Sequence, residues 1–356
     1  MMVLRFFAFL IFLLVVTTSH AFTDSTRQRS KSKVLPQDTS ALLTINRVLI
    51  VGNKITRDFI IQRELSFEPG DTVRRQMLAV YFEKDKFKLL NTRLFNTVTI
   101  KLLDYPDGIV DVFIEVNEQW YTFPVPILEI ADRNFNEWWQ NYGHDLRRIN
   151  YGLKLYQYNC RGRNETLLLT AKFGFTNQFR LSYRIPYIDK KRKQGVAFDV
   201  YYDERKNIAF QTLNNKLSFV RGDENFRIGR GASVTYTYRN SFYHYHGFTV
   251  ETTRLNASDS LLQLNDTYLG NSLTRQQVFS GLMYQYIYEN RDFVNYPLKG
   301  DYVSATIRHQ GILPSDDIRK TEIVSQYSWY KSLGKGYFLA NSSNAYISFQ
   351  NVPYVN

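Results

Sequence analysis

Few side chains in this sequence stand where they could do covalent chemistry. His244 and His246 are two apart, so on a strand both imidazoles could face one way, as a metal site would need. They are read instead as a polar pair beside a turn. Asp199 and Asp203 have the look of an acid–base dyad. Arg180 and Arg184 lie on a neighbouring segment of the same alternation, so the four are read as charged groups on one wet strand face. Cys160 is the single cysteine, which excludes an intrachain disulfide and a zinc-type cluster around it. Gly229-Arg230-Gly231 is too short for a nucleotide loop, and the chain contains no Gly-x-Ser-x-Gly elbow and no His-Glu-x-x-His motif. Trp138-Trp139 is read as a membrane-interface anchor rather than a ligand platform. No catalytic residue, metal site or cofactor is expected, and no enzymatic activity.

What remains is the chemistry of backbone edges and surfaces, and composition agrees. The chain has 356 residues with 26 Tyr and 26 Phe but 4 Met and 9 Pro. Aromatic residues at this density fit pleated sheets and membrane interfaces. The formal charge of +12 is spread over turns and alternating positions without one dense face, so no nucleic-acid partner is expected.

The N-terminus opens with Arg5, an apolar run over 6–16 and Ser19-His20-Ala21. That is a basic start, a short apolar core and a small-x-small site, read as a signal peptide over 1–21. The apolar run is too short to span a bilayer as a helix. Residues 22–41 are polar, with Arg27, Arg29, Lys31 and Lys33, and form a linker.

Residues 42–118 read as a small α+β domain of order β-α-α-β-β. A strand over 44–51 meets the turn Gly52-Asn53, and Thr56 is placed to cap a helix bearing Phe59, Ile60, Arg63 and Glu64. A second helix over 74–90 repeats Met77, Leu78, Tyr81, Phe82 and Leu89 at helical spacing. Two alternating strands follow. Val98, Ile100 and Leu102 oppose Thr99 and Lys101 in the first; Val110, Val112, Ile114 and Val116 share a face in the second.

Residues 119–356 read as an all-β antiparallel transmembrane barrel. Val196, Phe198, Val200 and Tyr202 alternate with Ala197, Asp199, Tyr201 and Asp203; Phe179, Leu181, Tyr183 and Ile185 alternate with Arg180, Ser182 and Arg184. Eleven such strands are expected, at about 120–131, 150–158, 165–173, 177–186, 194–205, 226–239, 244–256, 275–289, 300–311, 320–332 and 336–349. Long connectors at 132–149, 206–225 and 257–274 fall on one side, and short turns such as 159–164 and 240–243 on the other.

Four pieces in order carry a family resemblance: Val51-Gly52-Asn53-Lys54-Ile55-Thr56, Gly70-Asp71, Arg93-Leu94-Phe95-Asn96-Thr97-Val98 and the strand from Val110 to Glu118. Together they resemble a POTRA domain of the BamA/TamA-type outer-membrane assembly family. Trp120-Tyr121-Thr122-Phe123-Pro124 through Asp132-Arg133-Asn134-Phe135 is similar to that family's first barrel strand. Tyr288-Glu289-Asn290-Arg291-Asp292, with Tyr296-Pro297-Leu298-Lys299-Gly300, is similar to a barrel turn of the family. The resemblance implies a sixteen-stranded barrel with an Arg-Gly-Phe type loop after strand eleven. The chain stops at Val352-Pro353-Tyr354-Val355-Asn356, so an incomplete barrel of about eleven strands is expected.

The resemblance also implies a function: assembly, insertion or translocation of proteins at a bacterial outer membrane, with the small domain in the periplasm. The implied partners are unfolded outer-membrane or secreted client proteins, outer-membrane lipids and periplasmic accessory proteins. A client strand would add to the edge formed by Asn96, Thr97, Val98, Thr99, Ile100, Lys101 and Leu102. Tyr121, Phe123, Pro124, Pro126 and Ile127 would lie on one side of a weak seam, since proline donates no ladder hydrogen bond. Proline at Thr99 is expected to weaken client binding in a folded domain. Lys101 and Ile100 are companion positions, because alternation does not fix which amides point outward. The alternative is a passive channel or surface barrel with a periplasmic tether. Signal cleavage after Ala21 is tested by N-terminal sequencing of membrane-purified protein: Phe22 should come first, and a retained Met1 would refute it.

Overall fold

In the computed structural model, residues 41–131, 134–141, 143–270 and 274–350 are described. The expected signal peptide, nearly all of the linker, Asp132-Arg133 and the terminal Val352–Asn356 segment lie outside them. No helix among the described residues is long and apolar enough to cross a membrane, which says nothing of crossing by strands.

The small domain comprises β1 (Leu42–Val51), α1 (Asp58–Gln62), β2 (Thr72–Arg74), α2 (Arg75–Asn91), β3 (Phe95–Asp104) and β4 (Ile109–Glu118). Its sheet order is β2-β1-β4-β3, with β1 and β4 parallel and the other pairs antiparallel. Alternation in β4 turns Val110, Val112, Ile114 and Val116 into the core, where they meet Ile60, Ile61, Leu78 and Leu89 from the helices. Burying one such side chain contributes about 1.5–3 kcal/mol. The three-residue β2 was not expected; it is too short to show a period. Thr56 does not cap α1: the N-cap is Arg57, and the Thr56 hydroxyl is buried against Tyr121 and Asn159 instead. Met77, expected on the inner face of α2, is exposed. Asp85 on the same helix is fully buried, accepting from the Ser66 amide and hydroxyl and from Lys88 (2.7 Å each).

The remaining strands form one antiparallel sheet of eleven, in the order β17-β16-β15-β14-β13-β12-β9-β8-β7-β6-β5. They are β5 (Thr122–Ile130), β6 (Ile149–Cys160), β7 (Glu165–Gly174), β8 (Gln178–Ile185), β9 (Gln194–Arg205), β12 (Arg227–Arg239), β13 (His244–Ala257), β14 (Gln276–Glu289), β15 (Gly300–Gln310), β16 (Lys320–Gly334) and β17 (Tyr337–Ser348). Each large strand pairs with its successor, as a meander must when connectors are short. One face exposes Leu181, Phe198, Val200, Val234, Phe248 and Val250. The other carries ion pairs, Arg180 with Asp199 at 2.8 Å and Arg308 with Glu251 at 2.6 Å. An apolar outside and a charged inside are the two faces of a membrane barrel wall.

Two long connectors are not simple loops. Residues 206–225 hold a hairpin, β10 (Asn207–Leu213) with β11 (Lys216–Arg221), turned by Asn214 and Asn215 at positive φ. Residues 257–274 hold α3 (Asp259–Leu264), capped by Ser258, whose side chain accepts from the Leu261 amide. Leu261, Leu262, Tyr268 and Leu269 pack there with Phe226, Phe279 and Ile318 into a second core.

Asp111 ties the small domain's sheet together. Its carboxylate accepts from Arg47 (2.7 Å) and Asn46 (2.9 Å), and the Arg47 guanidinium holds it below the usual carboxylate range. A carboxyl depressed on folding stabilises fully above its unfolded value of about 4 and loses that contribution as pH falls through the lower folded value. The urea midpoint of the small domain's transition should therefore drop on acidification below about pH 4. Asp111→Asn should lower the neutral-pH midpoint and flatten that acid limb; an unchanged limb would show that the pair is not what titrates.

Candidate functional site

Among the described residues, two strands and one junction make up the candidate site. The first edge is β3, which has β4 on one side and, among the described residues, no strand on the other. The bond from the Tyr105 amide to the Ile109 carbonyl (2.9 Å) fixes the phase of this ladder. Residues 105 and 109 continue the register that pairs Thr99 with Glu115 and Lys101 with Phe113. In an antiparallel pair, bonded and non-bonded positions alternate. Thr97, Thr99, Lys101 and Leu103 thus bond inward to β4. Val98, Ile100 and Leu102 direct their amides and carbonyls to the open side, although their side chains pack on the core. Proline at Thr99 therefore removes a bond internal to the domain, and of the two phases that alternation left open it is that of Ile100 whose amide faces away from β4. Asn96, at the start of the strand, donates instead to the Glu118 carbonyl.

The second strand is β5, which pairs with β6; among the described residues no strand pairs with its other side. Bonds from the Ala131 amide to the Arg148 carbonyl and from the Tyr158 amide to the Tyr121 carbonyl (2.8 Å each) set this phase. Odd-numbered residues, including Phe123 and Ile127, face β6. Pro124 and Pro126 fall in the other phase, so the β5–β6 ladder loses nothing to them. It is the open edge that lacks two donors. Tyr121 precedes the strand and is buried under the small domain. Its hydroxyl donates to the Leu94 carbonyl (2.9 Å), and burial pushes its pKa up to about 12. Leu94 adjoins β3, so the two open edges start within one hydrogen-bonded cluster.

The junction holds the small domain against the turns at one end of the large sheet. Gly52 sits at φ +92°, and a Cβ there would lie 1.9 Å from the Val116 carbonyl oxygen, so the turn admits only glycine. Asn53 donates to the Thr56 carbonyl (2.9 Å) and to Asp58 (2.6 Å), while Glu118 accepts from the amides of Ile55 and Thr56. The loop so shaped offers the Arg57 amide to the Gly162 carbonyl (3.0 Å). Glu64, 3% exposed at its side chain, receives Arg239 at 2.9 Å and also Arg63. Arg63 lies 4.2 Å over the Tyr187 ring and Arg192 4.6 Å over Phe59. Asn91 donates to the Asp292 carbonyl (3.1 Å) and accepts from the Val294 amide (3.0 Å). Between α2 and these turns is a cavity of about 910 Å³ whose lining includes Lys84, Lys88, Arg93, Arg184 and Lys193.

The other expected chemistry resolves structurally. Asp199 pairs with Arg180, but Asp203 pairs with Arg205 (2.7 Å) and Arg227 (3.7 Å) rather than with Arg184. His244 and His246 share one face, and their Nδ1 atoms meet the hydroxyls of Tyr286 (2.7 Å) and Tyr284 (2.9 Å). Cys160 ends β6. Trp138 is buried and Trp139 exposed, stacked with Phe135. Sequence reading missed Asn91 and the Arg63–Glu64–Arg239 cluster, since their partners lie far away along the chain.

Removing one partner of a buried ion pair typically costs about 3–5 kcal/mol. Glu64→Ala should leave Arg63 and Arg239 uncompensated and speed amide exchange in 57–67 and 187–193. Exchange within β13 and β14 should be unchanged. Gly162→Ala should act likewise, because its Cβ would meet the Ile55 carbonyl oxygen at 2.0 Å. Protection equal to wild type in both variants would refute a fixed junction.

Comparison with known proteins follows this geometry. A POTRA family model, described as a surface antigen variable number repeat, matches residues 43–119. The model of the Omp85 superfamily domain matches residues 159–354, more than half of the chain. No curated protein matches. Among solved structures, BamA from Haemophilus ducreyi lacking POTRA domains 1–3 is similar at 16% identity and a TM-score of 0.47, over 86% of this chain and 55% of that one. CdiB from Escherichia coli is similar at 10% identity and 0.48, over 88% and 55%. CdiB from Acinetobacter baumannii is similar at 12% identity and 0.42, over 86% and 53%. The chain spans about half the length of these structures. The two family models therefore carry the assignment, and the chain belongs to the Omp85 superfamily of outer-membrane proteins, with a POTRA domain ahead of its barrel strands.

Proposed function

We propose that this chain serves protein insertion or translocation at a bacterial outer membrane, with the POTRA domain on the periplasmic side and β-rich polypeptides as clients. The carrying observation is the edge of β3, where among the described residues no strand pairs outside Val98, Ile100 and Leu102, and which begins at Leu94 beside Tyr121. An extended client gains main-chain hydrogen bonds by adding to β3 through the outward groups of Val98, Ile100 and Leu102. At β5 the client meets an edge that cannot hold it as tightly, because Pro124 and Pro126 supply no donors there. A strand that pairs incompletely is a strand that can be released. The work is conformational rather than catalytic, and the junction keeps the two edges in a fixed relation.

The test separates the two phases of β3. Ile100→Pro should reduce photo-cross-linking of an unfolded outer-membrane client to the POTRA domain about tenfold, as expected when a bonded edge position is lost with its neighbours. Ile100→Ala, which trims the side chain but keeps the amide, should bind nearly as wild type. Thr99→Pro should instead lower the domain's melting temperature. If Ile100→Pro and Ile100→Ala cross-link equally well, the edge is not the docking surface. A passive barrel with a tethered domain then becomes the better reading.

A further inference from the structure

On the apolar face of the large sheet, two arginines stand where charge is costly. Arg230 of β12 and Arg254 of β13 are direct cross-strand partners. Residues so paired share a face, with Cβ atoms about 5 Å apart, and like charges in this arrangement are destabilising. Several arginines on the other face of the sheet are neutralised, as Arg180 is by Asp199, Arg205 by Asp203 and Arg308 by Glu251. Among the described residues no ion pair forms to Arg230 or Arg254, and both are exposed. The nearest acid on that face is Glu204, the partner of Ile228. Its carboxylate is already engaged by the Tyr202 hydroxyl (2.7 Å) and the Asn177 amide group (2.6 Å).

The position of the pair along the strands is informative. Below it on the same face come Ala232 with Thr252, Val234 with Val250, Tyr236 with Phe248 and Tyr238 with His246. The eight steps from Arg230 to Tyr238 span about 26 Å at ~3.3 Å per residue. At a strand tilt near 40° that is roughly 20 Å across a bilayer, close to the height of a barrel's apolar band. Laterally, the pair continues an aromatic row: Tyr151 to Phe173 at 6.2 Å, Phe173 to Phe179 at 5.2 Å and Phe179 to Tyr202 at 6.3 Å. Tyr202 is the β9 partner of Arg230. Aromatic rows of this kind sit at the level of lipid headgroups.

We propose that Arg230 and Arg254 bind the phosphate of a lipid headgroup in the leaflet remote from the POTRA domain. This rests on the membrane reading above. Two guanidinium forks on one face can hold a phosphomonoester through several charge-assisted bonds, and the shared anion removes their mutual repulsion. Tyr202 lies beside the site, and the acyl chains run down over Val234 and Val250.

The full chain is reconstituted in phosphatidylcholine vesicles carrying a minor fraction of phosphatidic acid. Lipids retained after mild detergent extraction are then identified by native mass spectrometry. Wild type should retain phosphatidic acid preferentially. Arg230→Gln or Arg254→Gln should each reduce that retention about tenfold. Arg230→Lys should keep part of it, and Arg275→Gln, which alters an exposed arginine at the same end, should keep all of it. Each variant must float with the vesicles as wild type does. Equal retention by wild type and the double glutamine variant overturns the site while leaving the membrane reading intact. A wild-type chain that does not float with vesicles overturns both.

Discussion

A backbone group facing lipid without a partner costs several kcal/mol, and this constraint governs the whole molecule. It explains why the large sheet is an unbroken meander in which each big strand pairs with the next. It also makes the phase of a proline within a strand consequential. On β5 the side away from β6 presents fewer donors, because Pro124 and Pro126 supply no amide there. Their placement in the outward phase keeps the β5–β6 ladder whole. In the inward phase the same two residues would have weakened the sheet itself.

The POTRA domain answers a different constraint. Its own core is small, and one side is completed by Tyr121 and Tyr187, which belong to the segments of the large sheet. Burial raises the Tyr187 phenol's pKa above its ordinary value, so it stays neutral beside Glu64 and Arg63. The junction is thus part core and part ion cluster. The main-chain bond from Arg57 to Gly162 and the Asn91 contacts add directionality that apolar packing lacks. A domain held in this way presents its β3 edge at a defined place instead of sampling many.

The outward face shows how a barrel wall can read depth. Tyrosines and histidines of β12, β13 and β14 cluster toward the POTRA end, as in the contacts of His246 with Tyr284 and Tyr286. The row from Tyr151 to Tyr202 marks the opposite level, and the two arginines extend it. Above that level, β10, β11 and α3 pack on one another around Phe226, so among the described residues these connectors have a core of their own.

Periodicity in the sequence determined the strands. Alternation over 196–203 or 232–239 is enough to specify a pleated segment with one lipid face and one wet face, because side-chain direction follows from the strand itself. The order of elements in the POTRA domain was legible for the same reason, as was the glycine at position 52. Other features needed the tertiary structure. Side-chain alternation is blind to hydrogen-bond direction, so only the register of β3 on β4 decided that Ile100, and not Thr99, speaks to the open edge. The hairpin β10–β11 and helix α3 are short, and their stability comes from packing on Phe226 and Ile318, which no local pattern records. Glu64 lies far from Arg239 along the chain, and Asn91 far from Asp292. Such contacts are fixed by how two folded parts meet, and a linear sequence carries no coordinate for that.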